Sequence, residues 1–247
     1  MLGISVIPVL VAVAGLMILG RLVPSESRKA HNDVAGFIFA VIGVAYAVLL
    51  AFVVIVVWEE FERAEADVES EANELAGVYF LADRFPEPEK THIRDLARSY
   101  ARTVVEEEWP LMARGRESPR AEELLDEIRL TILGLDPHAG AQQILYEQGL
   151  ERMDELVDAR TLRLVDARRG VPAVLWTVLV LGAVVTVSFT YLFGLESNLV
   201  HALMVAALTL VITSVLFTIA ALNYPFSGVV RVPPDAFEAV LHAFENP

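Results

Sequence analysis

The side chains that could do chemistry in this sequence are scattered rather than grouped. Its five histidines are His31, His92, His138, His201 and His242, and none of them belongs to a His-Glu-x-x-His pair. The sequence also lacks a Gly-x-Ser-x-Gly nucleophile elbow and a Gly-Lys-Ser/Thr phosphate loop. Since it has no cysteine, thiol nucleophiles, disulfides and cysteine-based metal sites are excluded. We therefore expect no enzyme activity.

The acidic run Glu106-Glu107-Glu108 is the other candidate for chemistry. Consecutive residues of a helix point about 100° apart, so three neighbouring carboxylates cannot converge on one metal ion without groups from other elements. The run is therefore predicted to be a solvated acidic stretch. No metal site and no cofactor are expected.

Polar residues also flank a long apolar stretch. Residues 34–58 form a run of 25 residues without a charge, which follows His31, Asn32 and Asp33. Crossing a hydrocarbon core of about 30 Å takes about 20 apolar residues. Asn32 and Asp33 can cap this helix by accepting hydrogen bonds from its free amides, or they can line an entrance together with His31.

The other end of the apolar stretch is acidic. Several copies around one axis would place these carboxylates in rings that concentrate cations, whereas in a single helix they are a solvated face. The residues are Glu59, Glu60 and Glu62.

Three further stretches free of charge have the length of a membrane helix, which explains why 55% of the residues are hydrophobic. The first could be a cleaved signal sequence, but Arg21, Arg28 and Lys29 after it favour a retained helix. The expected fold is all-α, a polytopic membrane protein with a helical extramembrane domain inserted between helices 2 and 3. The predicted transmembrane helices are 2–19, 34–58, 171–193 and 199–222.

The domain boundaries follow the change in composition. The segment 59–170 carries 27 acidic and 15 basic residues, a net charge of 15 − 27 = −12, and a charge of this sign repels nucleic acid. The predicted domains are a transmembrane hairpin at 1–58, an acidic helical domain at 59–170, a second hairpin at 171–222 and a C-terminal tail at 223–247.

The acidic domain is predicted to contain four helices. The first continues the second membrane helix to about Asp83, and the second runs from a cap at Thr91 to Pro110. The third follows a Ser118-Pro119 cap and ends at Gly134. The fourth follows the turn 136–140, and its expected core residues are Ile144, Met153, Leu156, Val157 and Leu164.

Two more helix faces are predicted. In the second span, small residues form a ridge that lets a neighbouring helix approach closely, while Phe39 and Tyr46 lie on other faces that could border a pore. In the tail, Pro233-Pro234 opens an amphipathic helix that docks on protein. The ridge is Gly36, Ala40, Gly43, Ala47 and Ala51, and the docking face is Phe237, Val240, Leu241 and Phe244.

The sequence around the second span resembles a known family. The residues His31–Phe39 and Gly43–Phe52, together with Pro172–Trp176 and Asn223–Gly228, are similar to the signatures of the bestrophin-like family DUF4239. Bestrophins are pentameric ion channels with anion- and cation-conducting members. The resemblance implies a homopentamer whose second membrane helix lines the pore, with an apolar neck between Phe39 and Leu50. The acidic calcium clasp of bestrophins has no counterpart in this sequence.

This resemblance, together with the polar residues at both ends of the apolar stretch, gives two sets of candidate residues for a pore. The pore-lining candidates are Asn32, Phe39, Gly43, Tyr46 and Leu50. The pore-mouth candidates are His31, Asp33, Glu59, Glu60 and Glu62.

The expected function is an oligomeric ion channel in the cell membrane whose selectivity leans weakly to cations, because the acidic domain opposes anions. The alternative is a membrane-anchored scaffold or sensor that does not conduct. Expected partners are the lipid bilayer, further copies of the chain and inorganic ions, with no nucleic acid. Basic residues leave the orientation open, and the family layout places the helical domain in the cytoplasm.

Overall fold

The computed structural model describes residues 2–23, 28–136 and 140–245, so Pro137, His138 and Ala139 of the predicted turn lie outside the described residues. Contacts within the chain divide it into two units. The first unit consists of Met1–Trp58 and Gly170–Asn223. The second consists of Glu59–Arg169 and Tyr224–Pro247.

Within the described ranges the chain is helical and shows no β-strand. A 3-10 turn at Ala82–Arg84 follows α2, and a π turn at Val104–Glu108 lies between α3 and α4. The α-helices are α1 (Leu2–Leu22), α2 (Asn32–Leu81), α3 (Glu89–Thr103), α4 (Trp109–Met112), α5 (Pro119–Leu133), α6 (Ala141–Asp166), α7 (Ala173–Thr190), α8 (Asn198–Leu222) and α9 (Asp235–Glu245).

Four of these helices, α1, α2, α7 and α8, are long and apolar enough to cross a membrane. In the first unit, α1 packs along α8, with Ala12 and Leu16 buried against Val205. Gly15 permits a close contact, because a Cβ there would lie 3.1 Å from the Tyr191 hydroxyl. The first unit is therefore built from packed apolar helices.

Helix α2 is continuous for 50 residues. The predicted continuation of the second span into the acidic segment is confirmed, although the α-helix ends at Leu81 rather than at Asp83. No glycine or proline stands between Gly43 and Gly77, so nothing in that stretch weakens or interrupts the backbone hydrogen bonds.

The second unit has a core in which α2 to α6 and α9 take part. The predicted cap of α5 is confirmed: Ser118 Oγ accepts a hydrogen bond from Ala121 N, and Pro119 occupies the first turn. An apolar stripe of this helix is buried. Its members are Leu124, Leu125, Ile128 and Ile132.

The predicted ends of α3 were wrong. The helix begins at Glu89, and the Thr91 hydroxyl donates to Glu87 Oε2 at 2.7 Å instead of capping. Pro110 does not close it, because the wider π turn at Val104–Glu108 shifts the hydrogen-bond register. The amide that proline lacks therefore falls in the first turn of α4, where no partner is needed.

Helix α6 buries Met153 and Leu156 as predicted, but Ile144 is 57% exposed. Nine positions at about 100° each place Ile144 half a turn away from Met153, on the opposite face. The C-terminal helix α9 docks on protein as predicted, with Phe237 and Phe244 buried in the core of the second unit.

Candidate functional site

The apolar half of α2 has two faces in the first unit. One face is packed inside the unit, and Tyr46, Leu50, Val53 and Val57 are buried there. The other face is apolar and exposed in the single chain. Its large members are Val34, Phe37, Val41, Val44, Val48, Phe52 and Ile55. An exposed apolar surface of this extent must be covered by lipid or by another protein surface.

Tyr46 contacts α7 within the same chain. Its hydroxyl donates to the Leu179 carbonyl at 2.8 Å. The ring lies against Gly182, where an added Cβ would be 2.5 Å from Tyr46 Cδ2. The absence of a side chain at Gly182 therefore allows the ring to fit between α2 and α7.

Phe39 belongs to an aromatic group one heptad before Tyr46. Its ring stacks on Phe189 at a centroid distance of 6.1 Å and meets the edge of Phe193 at 5.7 Å. Next to it is an apolar cavity of about 360 Å³, which His201 and Met204 also line. The buried His201 places Nε2 2.9 Å from the Thr190 carbonyl, so its ring is held by the backbone of α7.

Asn32 joins α2 to the segment between α7 and α8. Its Nδ2 donates to the Gly194 carbonyl at 3.0 Å, and its Oδ1 accepts from Gly194 N at 3.0 Å. The predicted capping role of Asn32 is not observed, because Asn32 is itself the first residue of α2 and its side chain bonds to Gly194. Nearby, Arg28 donates to the Tyr191 carbonyl at 2.9 Å, and Lys29 lies 3.3 Å from Glu196.

The remaining mouth and ridge residues are more exposed. His31 and Asp33 are exposed, as are Glu59 and Glu62, whereas Glu60 is half-buried. In the predicted ridge, Gly43 has no atom within 4 Å of the position of a Cβ. Ala40, Ala47 and Ala51 are exposed in the single chain.

The second unit contains a buried charge cluster, which we define as Glu71, Glu108, Arg160 and Arg163. Arg163 has a fully buried side chain and donates to both carboxylate oxygens of Glu71, at 2.5 and 3.0 Å. It also donates to Glu108 at 2.7 Å, and Arg160 donates to the other oxygen of Glu108 at 2.6 Å. Two carboxylates and two guanidinium groups make the charge cluster neutral.

Aromatic and polar groups surround the charge cluster. The Tyr100 hydroxyl donates to Glu71 at 2.5 Å, and Ser118 N donates to Glu108 at 3.0 Å. The Arg163 guanidinium lies 5.5 Å from the Trp109 ring and 5.8 Å from the Phe237 ring, distances typical of cation–π contacts.

Burial and charge compete in setting the pKa values of this cluster. Burial alone would raise the pKa of Glu108, but the attraction of Arg163 and Arg160 lowers it below its usual value. Burial alone would lower the pKa of the Arg163 guanidinium, but the attraction of Glu71 outweighs burial and raises this pKa above its usual value. Burial and the Glu71 charge together raise the pKa of Tyr100 well above its usual value.

The charge cluster was not predicted from the sequence, and the prediction that Glu108 is solvated was wrong, because its side chain is buried. One signal was available. Arg160 and Arg163 follow the buried Leu156 by four and seven positions, so they continue the buried stripe of α6.

No group of three or more histidine, aspartate or glutamate side chains that could hold a metal ion is found in the part of the chain that the structure describes.

Comparison with known proteins gives the class. The family model for the Bestrophin-like domain matches residues 6–237. A bacterial bestrophin homologue from Klebsiella pneumoniae, solved by Zn-SAD phasing, has 14% sequence identity and a TM-score of 0.72, covering 98% of this chain and 97% of that chain. A mutant of a bacterial bestrophin homologue from Klebsiella pneumoniae has 16% identity and a TM-score of 0.69, covering 98% of each chain. No curated protein sequence matches significantly.

The molecule is therefore an all-helical protein with a bestrophin-like fold and four helices that could cross a membrane. The chain belongs to the Bestrophin-like family.

Proposed function

We propose that this protein is the subunit of an oligomeric ion channel, in which copies surround an axis and α2 of each copy lines the pore. The observation that carries the proposal is the pair of faces on α2: one packs inside the chain, and the opposite apolar face has no partner there. Membership of the Bestrophin-like family supports the same arrangement. By the resemblance to bestrophins the oligomer is a homopentamer.

The pore-lining candidates divide by their burial. Gly43 and Asn32 are half-buried, and Gly43 has open space beside it, so we place Gly43 near the lining. Tyr46 and Leu50 are buried and Phe39 packs on Phe189. We therefore propose that these three large side chains act from behind the lining, by holding α2 against the rest of the first unit.

The mouths of the proposed pore are polar. His31 and Asp33 precede the apolar stretch, and three glutamates follow it. A ring of carboxylates raises the local concentration of cations within a Debye length of about 8 Å. Together with the charge of 15 − 27 = −12 on residues 59–170, this favours weak cation selectivity. The glutamates of the proposed ring are Glu59, Glu60 and Glu62.

The proposed setting is the cell membrane, with the second unit in the cytoplasm. The partners are then the lipid bilayer, other copies of the chain and inorganic ions, and the acidic charge disfavours nucleic acid.

The test uses the full-length protein in two steps. Native mass measurement in detergent should give an oligomer, and the purified oligomer should pass current in a planar bilayer under asymmetric salt. The reversal potential should lie closer to the equilibrium potential of the cation than to that of the anion. A monomer, or protein that is folded but silent across salts and pH, would contradict the proposal and favour the non-conducting scaffold or sensor.

A charge-matched pair of variants tests the acidic ring. The triple substitution E59Q/E60Q/E62Q should shift the reversal potential towards anions. The control is E122Q/E123Q/D126N, which removes the same charge from the exposed face of α5. Equal shifts in the two variants would assign the selectivity to net charge and exclude the ring.

A further inference from the structure

Two aspartates meet between α2 and α6 of the second unit without a donor between them. Asp166 is the last residue of α6, and Asp67 of α2 lies within hydrogen-bonding reach of its carboxyl group. The Asp166 side chain is 9% exposed, and its buried Oδ2 has no hydrogen-bond partner in the structure. Two ionised carboxylates can only accept hydrogen bonds, so a hydrogen bond between them requires a proton on one of the two.

The neighbouring cations do not supply this donor. Arg169 approaches Asp166 Oδ1 to only 3.9 Å, and its own side chain is 60% exposed. Arg63, one turn before Asp67 on α2, is exposed. Arg163, one turn before Asp166 on α6, is fully buried, and its guanidinium donates to Glu71 and Glu108. None of these arginines places a donor on the unpartnered oxygen.

We propose that Asp67 and Asp166 form a proton-binding site, in which one proton shared by the two carboxyl groups joins α2 to α6. The proton donates across the pair and removes the repulsion between two like charges. Loss of the proton leaves two buried or half-buried carboxylates in contact, which weakens the packing of α2 on α6. The site does not depend on whether the protein conducts ions.

A proton fits this site better than a metal ion. A divalent cation prefers six or more oxygen ligands, and no third carboxylate or histidine completes a metal-binding group within the described ranges. The positive charges of Arg63 and Arg169 act on the same carboxyl group and oppose a dication. One proton satisfies two oxygens and needs no further ligand.

The direction of the pH effect on stability follows from the shift in the pKa of Asp166. Burial first, and then Asp67, raise the pKa of Asp166 from 3.8 to about 6. A carboxyl group whose pKa is raised by folding stabilises the folded state below its unfolded pKa, and this contribution is lost as the pH rises through the folded pKa. The stabilisation by the shared proton should therefore disappear between about pH 4 and pH 6.

The test compares three variants of the full-length protein in detergent. D166N replaces the carboxyl group by an amide that donates to Asp67 at every pH, and D67N does the same from the other side. The control is D158N, which removes an exposed aspartate from α6. Between pH 5 and pH 7, we expect the Tm of the wild type and of D158N to fall by several degrees more than the Tm of D166N. D67N should behave as D166N does.

Infrared difference spectra give a second readout that does not depend on stability. The wild type should show the band of one protonated carboxyl group that disappears near pH 6, and D166N should lack it. A band that titrates below pH 4.5, a wild type that follows D166N at every pH, or a pH effect abolished by chelator and restored by calcium or magnesium ions would overturn the proposal.

Discussion

Removal of Arg163 should unfold the second unit at a much lower temperature. The side chain is fully buried and donates to Glu71 and Glu108. The substitution R163M keeps most of the volume and removes the charge, which changes the charge cluster from neutral to −1. Breaking a buried ion pair by removing one partner costs about 3–5 kcal/mol, because the other charge stays buried without compensation.

The assay is thermal unfolding of the full-length protein in detergent. A loss of about 3–5 kcal/mol corresponds to a Tm about 6–20 °C lower, at about 2–4 °C per kcal/mol for a chain of this size. The control is R168M, since Arg168 is 56% exposed and lies 3.2 Å from Glu117. An exposed pair is worth about 0–1 kcal/mol, so its Tm should change little.

A double variant separates charge from packing. In R163M/E71Q the uncompensated carboxylate is gone, and the glutamine oxygen still accepts from Tyr100. We expect this variant to have a higher Tm than R163M alone. If the two substitutions added their separate costs, the destabilisation of R163M would come from lost packing, and the reasoning from charge would be refuted.

Three further predictions concern packing and caps. G182A should destabilise the first unit by about 1–3 kcal/mol, since the new Cβ would lie 2.5 Å from Tyr46 Cδ2, whereas G43A should be near neutral; equal Tm values for the two would contradict this. S118A should cost about 1 kcal/mol in chemical unfolding, because the cap of α5 is lost, and an unchanged midpoint would argue against the cap. F237A should cost about 3–5 kcal/mol, because its ring is fully buried, and a Tm within a degree of the wild type would show that α9 is not part of the core.

Local features of the fold could be predicted from the sequence because their causes are local. The three-to-four spacing of apolar residues between Trp58 and Tyr79 was enough to predict that α2 continues beyond the apolar stretch. The cap of α5 depends on Ser118 and Pro119, which are adjacent in the sequence. The buried face of α9 could be predicted from the spacing of its phenylalanines alone.

The predictions for Asn32 and Glu108 missed their partners for a different reason. Asn32 has a partner 162 positions away, at Gly194. The partners of Glu108 are Arg160 and Arg163, 52 and 55 positions away. A polar residue is solvated, caps a helix or joins a buried network according to what the fold brings next to it. A single sequence does not contain that information, except where a charge continues a buried stripe.

The rotation of α2 about its own axis in the first unit depends on a few polar contacts. Asn32, Phe39, Tyr46 and Val53 follow one another at intervals of seven residues and form one seam on the packed side. In a lipid environment apolar packing gives little preference for one rotation, because acyl chains are as apolar as leucine. Hydrogen bonds are directional, and two seam positions make them: Asn32 with Gly194 and Tyr46 with Leu179. These contacts therefore determine which apolar face of α2 is left for lipid or for another copy.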